Sequence, residues 1–239
     1  MSRLLIIPAR GGSKRIPRKN MCEFGGLPAL HRTIELALSS HLFSSIIVSS
    51  DDEDILSSVS KYPIIADSKR PLNLSDDKAT VTDVIKYEVT KLHALGCTFD
   101  EIWQLSAFAF LLSVEDLERF AGRAKNLPED GLLLGVLPFP APIEWALKKD
   151  LNGEITVARK EALVEPSQYF GKFFYDSGAI AVFKSEIFKN FEFQLSDLRL
   201  FGEELSPHKV VDVDEPKDLL MLQVLFLGHS EAVKLGFKI

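Results

Sequence analysis

The sequence predicts an α/β fold with a doubly wound, mainly parallel sheet. Short apolar runs alternate along the chain with segments whose apolar residues recur at helical spacing. A basic loop with two glycines follows the first run directly, and 239 residues at 46% hydrophobic content are enough for a large core. Such alternation requires crossovers between parallel strands, and ligands then bind beyond the carboxyl ends of those strands.

The first half of the chain supplies three strands, each followed by a helix. The strands are predicted at residues 3–8, 45–50 and 63–66, and the helices at 28–39, 51–61 and 80–95. The strands are compact apolar runs, whereas Leu30, Ile34 and Ala37 recur at helical spacing. The acidic residues that open the second helix suit a helix N-terminus.

The second half continues the alternation after an interruption. Strands are predicted at residues 101–106, 131–137, 177–183 and 209–213, with a helix that opens at Ser113 and an amphipathic helix at 215–227. Residues 138–175 break the pattern with prolines, a turn at 151–153 and a short alternating stretch at 155–159. We therefore expect one domain over residues 1–239, with an inserted segment at 138–175 that is called the arm below.

Composition limits the classes of partner. The formal net charge of -6 argues against general affinity for nucleic acid or an anionic membrane, so an anionic ligand needs a local cluster of cations. Cys22 and Cys97 have neither metal-ligand spacing nor a disulfide framework, which suits a reducing compartment. The apolar runs are too short for a signal peptide or a membrane-spanning helix, so we expect a cytoplasmic protein.

The strongest chemical signal is the basic loop at residues 8–20, PARGGSKRIPRKN, which follows the first strand. It contains five cations, Arg10, Lys14, Arg15, Arg18 and Lys19, and two glycines. Glycines let backbone amides approach an anion closely, and the cations neutralise its charge. The spacing matches neither the P-loop nor the dinucleotide fingerprint. The loop predicts a triphosphate site, and the alternative is a solvated basic turn.

A second signal is the pair Asp212 and Asp214, which precedes the last helix. In a strand, alternate carboxylates lean to one side, where two hard oxygen ligands can share one Mg²⁺. The alternative is that Asp212 caps a helix or pairs with a lysine while Asp214 caps the helix.

Four segments together resemble the acylneuraminate cytidylyltransferases: residues 5–20, 46–55, 70–77 and 210–219. Residues 139–147 and 167–178 look closest to the pseudaminic acid branch of that family. The resemblance implies a Rossmann-like nucleotidyltransferase that transfers CMP from CTP to a nine-carbon 2-keto sugar acid and releases pyrophosphate. It also implies Mg²⁺ as the cofactor and a homodimer that forms through the arm. Together with the net charge, it predicts that the protein binds neither nucleic acid nor membrane.

The resemblance also assigns roles to residues. Arg10 and Lys19 match catalytic positions, and Asp212 and Asp214 match metal ligands. The nucleotide-binding set is Arg10, Gly11, Gly12, Ser13, Lys14, Asn20, Arg70, Thr80 and Thr82. Two alternatives remain open: Arg70 forms a surface ion pair with Asp67 or Asp76, or Thr80 and Thr82 cap the next helix. Asp176 is interpreted as a turn residue and stays outside the catalytic set.

Two positions depart from the family pattern. Residues 104–110, QLSAFAF, replace a Pro-Thr-x-Pro-like segment, and Pro166 stands where an arginine is usual. Arg159, Lys160 or Lys172 could supply the missing cation. The alternatives are therefore a different acceptor (sialic, legionaminic or an eight-carbon keto-deoxy acid) or a non-catalytic CTP-binding module.

Overall fold

A computed structural model describes residues 1–66, 69–75 and 78–237 of the chain. The strands are β1 (Arg3–Pro8), β2 (Glu23–Phe24), β3 (Leu27–Pro28), β4 (Ser45–Ser49), β5 (Glu101–Leu105), β6 (Gly131–Pro138), β7 (Leu147–Lys149), β8 (Ile155–Val157), β9 (Phe174–Lys184) and β10 (Arg199–Glu204). The helices are α1 (Ala29–Ser40), α2 (Glu53–Val59), α3 (Val81–Ala94), α4 (Val114–Ala124) and α5 (Pro216–Lys234). Short 3-10 helices lie between several of these elements.

The centre of the fold is a six-stranded sheet in the order β10-β6-β9-β5-β1-β4. β4, β1 and β5 are mutually parallel, β10 is parallel to β6, and β9 runs antiparallel to both of its neighbours. The α/β class and the mainly parallel sheet are confirmed. The chain leaves β6 at Pro138, passes through the arm and returns at Phe174, which pairs with Pro138, so β9 must run the opposite way.

The two faces of the sheet explain why its strands read as unbroken apolar runs. In β1, Leu5 and Ile7 pack on one face with α1 and α4, while Leu4 and Ile6 pack on the other face with α3. Because successive side chains point to opposite faces, a strand covered on both sides needs apolar residues throughout.

Two strand predictions are wrong. Residues 209–213 form no strand, although Val210 and Val213 are buried. This part of the chain, residues 205–214, is a connection with a turn at 207–208 and no regular secondary structure, and it is called the strap below. At residues 63–66 only an isolated bridge between Ile47 and Ile65 is present. The strand at the sheet edge beside β6 is β10. Its residues are largely exposed and several are charged, so it lacks the apolar run by which the other strands were predicted.

The arm carries an antiparallel hairpin of β7 and β8 with the predicted turn at residues 151–153. Trp145 anchors it by donating from Nε1 to the carbonyl of Ala162 at 2.8 Å. Several large apolar side chains of the arm are exposed: Phe139, Ile143, Leu147, Leu151, Ile155, Val164, Tyr169, Phe173, Phe174 and Tyr175. No helix among the described residues is both long enough and apolar enough to span a membrane.

Candidate active site

A cavity of about 370 Å³ lies beyond the carboxyl ends of β1 and β5. Six of the predicted site residues line it: Arg10, Lys19, Asn20, Arg70, Thr80 and Asp212. Gly11, Gly12, Ser13, Lys14, Thr82 and Asp214 are not part of its lining. The structure thus brings together, in one cavity, three cations and one carboxylate that lie far apart in the sequence.

The basic loop is fixed at both of its ends. The Asn20 side chain is buried, and its Nδ2 donates to the carbonyl of Arg10 at 2.9 Å. The Lys19 ammonium donates to the carbonyl of Val213 at 2.6 Å and lies 3.4 Å from Asp214 Oδ1. Lys19 therefore joins the basic loop to the strap, and its position in the cavity is set before any ligand arrives.

Gly11 packs closely against the N-terminus of α2. Its amide donates to Asp51 Oδ1 at 2.9 Å, and a Cβ at this position would lie only 2.6 Å from Asp52 Cβ. Glycine is thus required here by a close approach between two parts of the protein. Its N–H group is hydrogen-bonded to a carboxylate in this structure, and the predicted phosphate contact of Gly11 remains a prediction.

Arg70 is a buried cation on the cavity wall. Its backbone amide donates to the carbonyl of Ser50 at 2.7 Å, and its guanidinium donates to Ser75 Oγ at 3.2 Å and lies 3.9 Å from Asp51 Oδ1. Burial lowers the pKa of Arg70, while the negative charge of Asp51 opposes that shift. The alternative partners Asp67 and Asp76 lie outside the described residues.

Thr80 has a structural role as the N-cap of α3. Its hydroxyl donates to Asp83 Oδ2 at 2.7 Å and accepts from the Asp83 amide at 3.2 Å, which completes a capping box. Thr80 also contributes to the cavity wall. Its predicted nucleotide contact therefore competes with a cap that already uses the hydroxyl.

The strap holds the two candidate metal ligands. Burial, followed by repulsion from Asp214, raises the pKa of Asp212 above its ordinary value, and Lys19 opposes this. Asp214 lies 3.2 Å from an Arg15 guanidinium nitrogen. The N-cap of α5 is Glu215, so the alternative that Asp214 caps this helix is wrong.

The donor chemistry of the strap fits Mg²⁺. A divalent cation would stabilise the ionised form of Asp212, which burial and the negative charge of Asp214 disfavour. Both carboxylates offer hard oxygen ligands. No group of three or more His, Cys, Asp or Glu side chains within the described parts of the chain could hold a metal alone. Two carboxylates leave the other positions of a Mg²⁺ ion to water and phosphate oxygens, which is its usual coordination beside nucleotides.

The unusual segment at residues 104–110 contributes some side chains to the cavity wall and others to the hydrophobic core. Phe108 lines the cavity with its ring centroid 6.0 Å from Lys19 Nζ, whereas Phe110 packs against Phe24 at 4.9 Å between centroids. Gln104 and Ser106 are further polar lining residues. The Gln104 side chain makes no hydrogen bond with another described residue, which leaves its amide for a ligand.

Gln104, Ser106 and Gly178 also line the cavity, although the sequence did not single them out individually as site residues. A polar residue near the carboxyl end of a buried strand was the available signal for Gln104. Gly178 has φ of 66° and donates its amide to Asp176 Oδ1 at 2.9 Å. Asp176 itself lies within β9, where it pairs with Val136, so the interpretation of Asp176 as a turn residue is wrong. Pro166 and the cations Arg159, Lys160 and Lys172 are not part of the cavity lining.

The sequence model of the family described as "Cytidylyltransferase" matches residues 4–234. A pseudaminic acid cytidylyltransferase from Campylobacter jejuni is 33% identical over 235 residues, which cover 97% of this chain and 99% of the relative. A Helicobacter pylori protein that combines the same activity with a sugar-nucleotide hydrolase is 29% identical over 89% of this chain and 40% of that protein.

Solved structures share the fold at low sequence identity. CMP:2-keto-3-deoxy-manno-octonic acid synthetase complexed with CTP has a TM-score of 0.63 at 16% identity, covering 96% of this chain and 100% of that one. 4-Diphosphocytidyl-2C-methyl-D-erythritol synthase has a TM-score of 0.67 at 15% identity, covering 94% and 97%.

Proposed function

We propose that this chain, which belongs to the cytidylyltransferase family, transfers CMP from CTP to a 2-keto sugar acid, with pseudaminic acid as the favoured acceptor. The full-length similarity to pseudaminic acid cytidylyltransferases carries the proposal, at 33% identity and with 97% of this chain covered. The cavity supports it, since Arg10, Lys19 and Arg70 suit a triphosphate.

The chemistry is an in-line displacement at the α-phosphorus of CTP. The anomeric hydroxyl of the acceptor forms the new P–O bond and loses its proton, while the bond to the β-phosphate oxygen breaks and pyrophosphate leaves. Negative charge builds on the phosphate oxygens, so fixed cations in a preorganised cavity lower the barrier. Lys19, held by the Val213 carbonyl, and the buried Arg70 are suited to this work.

Asp212 and Asp214 would hold the Mg²⁺ ion. When bound, the ion neutralises phosphate charge and helps to orient the triphosphate. The raised pKa of Asp212 is in keeping with this role, because a carboxylate that is costly to ionise alone is stabilised by a divalent cation.

One observation favours a second candidate function. Phe108 lines the cavity where the family pattern has a hydroxyl-bearing segment, so the acceptor part of the site has a more apolar wall. The alternatives are a different acceptor, such as sialic or legionaminic acid, or a module that binds CTP without turnover.

The test is pyrophosphate release from CTP and Mg²⁺ with pseudaminic, sialic and legionaminic acids offered separately. We expect release with pseudaminic acid, and a loss of at least about hundredfold in Asp212→Asn, since transition-state charge loses its counter-ion. Asp130→Asn, at an exposed carboxylate before β6, is the matched control and should keep the rate. CTP binding with no release from any acceptor would support the binding module instead.

A further inference from the structure

Asp51 lies where the basic loop, the N-terminus of α2 and Arg70 meet. A single oxygen, Oδ1, accepts the hydrogen bond from the Gly11 amide at 2.9 Å and lies 3.9 Å from Arg70 Nη2. The side chains of Asp51 and Arg70 are only 16% and 3% exposed. The carboxylate thus touches two parts of the candidate nucleotide site from behind the cavity lining, to which Asp51 does not itself belong.

The two neighbouring aspartates have different tasks. Asp52 is the N-cap of α2, and its Oδ1 accepts hydrogen bonds from Asp54 N at 2.8 Å and Ile55 N at 3.3 Å. Asp51 takes no part in this cap. Its carboxylate therefore accepts a hydrogen bond from the loop and lies within ion-pair distance of Arg70, and helix capping does not account for a charged residue at this position.

Backbone hydrogen bonds fix the same three segments. The Ala9 amide donates to the carbonyl of Ser49 at 2.9 Å, and the Arg70 amide donates to the carbonyl of Ser50 at 2.7 Å. The backbones beside Asp51 are therefore held in register. The direction of the long Arg70 side chain depends instead on side-chain contacts: Nε donates to Ser75 Oγ at 3.2 Å, and the Asp51 carboxylate attracts the other end of the guanidinium from 3.9 Å.

Electrostatics explain why a carboxylate is needed. Burial lowers the pKa of the Arg70 guanidinium, and the neighbouring Arg10 lowers it too, whereas Asp51 and Glu88 raise it. Glu88 is engaged elsewhere, since it accepts from Ser49 Oγ at 2.6 Å and lies 3.7 Å from Lys91 Nζ. Among the described residues, Asp51 is the carboxylate within ion-pair distance of Arg70.

We infer that Asp51 is a positioning residue that orients the Arg70 guanidinium and the Gly11 turn for the triphosphate. It acts through these two groups and touches no substrate. The inference rests on the proposed function, because the orientation matters for a nucleotide that Arg70 binds. Preorganisation of this kind reduces the free-energy cost of ordering the site when the ligand binds.

Calorimetric CTP affinity of matched variants tests the inference. Asp51→Asn keeps an acceptor for the Gly11 amide and removes the charge beside Arg70, and should weaken binding about tenfold, the scale of coupling between neighbouring charged groups. Asp51→Ala should weaken it further, because the amide also loses its partner. Asp130→Asn, with the same charge change on an exposed side chain before β6, should stay within about twofold.

A double-mutant cycle shows whether Asp51 acts through Arg70. In an Arg70→Met background, Asp51→Asn should add less than about twofold, since the group it orients is gone. Arg70→Gln replaces that background if Arg70→Met does not fold. Wild-type affinity in Asp51→Asn, or an undiminished tenfold loss without Arg70, would overturn the inference.

A readout without CTP separates the two proposals. Hydrogen exchange of the Gly11 amide should quicken at least about tenfold in Asp51→Ala, which removes the acceptor of that amide, but not in Asp130→Asn. If the wild type binds no CTP, the proposed function fails while this measurement still decides whether Asp51 holds the turn. Unchanged exchange overturns the inference even when CTP binds.

Discussion

Thr80 shows at the scale of one residue how a cap and a ligand contact compete. Its hydroxyl already donates to and accepts from Asp83. We expect Thr80→Ala to lower the free energy of unfolding by about 1 kcal/mol, as for other lost caps, and Thr80→Ser to restore it. Urea unfolding measures this. A Thr80→Ala protein of wild-type stability but weaker CTP affinity would instead assign the hydroxyl to the nucleotide.

Charged residues that the sequence singled out lie around one cavity, but their hydrogen-bond partners were not predicted. Arg10, Lys19 and Asp212 were identified by charge and by their place beside predicted strands, and all three line the cavity. The hydrogen bond between the Gly11 amide and Asp51 joins residues 40 positions apart, so no local sequence pattern predicts it. Gln104 was not singled out within residues 104–110, because most of its neighbours in that segment are apolar.

At the scale of elements, the strap is held against α4 by a buried ion pair. Lys209 Nζ lies 2.9 Å from Asp116 Oδ2, and the two side chains are 10% and 7% exposed. We expect Lys209→Met to lower the free energy of unfolding by about 3 kcal/mol, since it leaves a buried carboxylate with one partner fewer. The double variant Asp116→Asn/Lys209→Met should lose less unfolding free energy than the sum of the losses in the two single variants.

The same pair predicts a dependence of stability on pH. Burial alone raises the pKa of Asp116, but the Ser113 amide and Lys209 outweigh it, so the pKa is lowered overall. A lowered folded pKa stabilises the protein above the unfolded value of about 4, and this stabilisation is lost as the pH falls through the folded pKa. The difference in unfolding free energy between wild type and Asp116→Asn should therefore shrink in acid. A difference that is constant with pH would contradict this.

Elements whose shape depends on long-range packing were not predictable from local pattern. The strap has apolar residues at Val210, Val211 and Val213, which is typical of a strand, yet its backbone forms no ladder in the described structure. β10 fills the sheet edge beside β6 despite its exposed residues. An edge strand pairs with a neighbouring strand on one side only, and its other side is unpaired. Sequence periodicity shows neither which strand it pairs with nor that one side is unpaired.

At the scale of the whole molecule, topology places the cavity where the sequence argument required it. Ligand sites of α/β sheets lie beyond the carboxyl ends of the strands. β1 and β5 are adjacent and parallel, so the loops after Pro8 and after Leu105 reach the same edge. The antiparallel β9 adds Gly178 to the wall of this cavity. The direction of β9 follows from the arm, which returns the chain to the edge where β6 ended.

The exposed apolar surface of the arm leads to a prediction about assembly. Leu151 is fully exposed at the hairpin tip, and Leu147 and Ile155 are more than half exposed on its strands. Contiguous apolar surface of this kind is typical of an interface between subunits. We expect light scattering at micromolar concentration to give twice the mass of one chain, and Leu151→Asp to shift the protein toward the mass of one chain. Leu95→Asp, at an exposed leucine outside the arm, should leave the mass unchanged. A wild-type protein with the mass of a single chain would contradict the expected homodimer, and an equal effect of both leucine changes would show that the arm is not the interface.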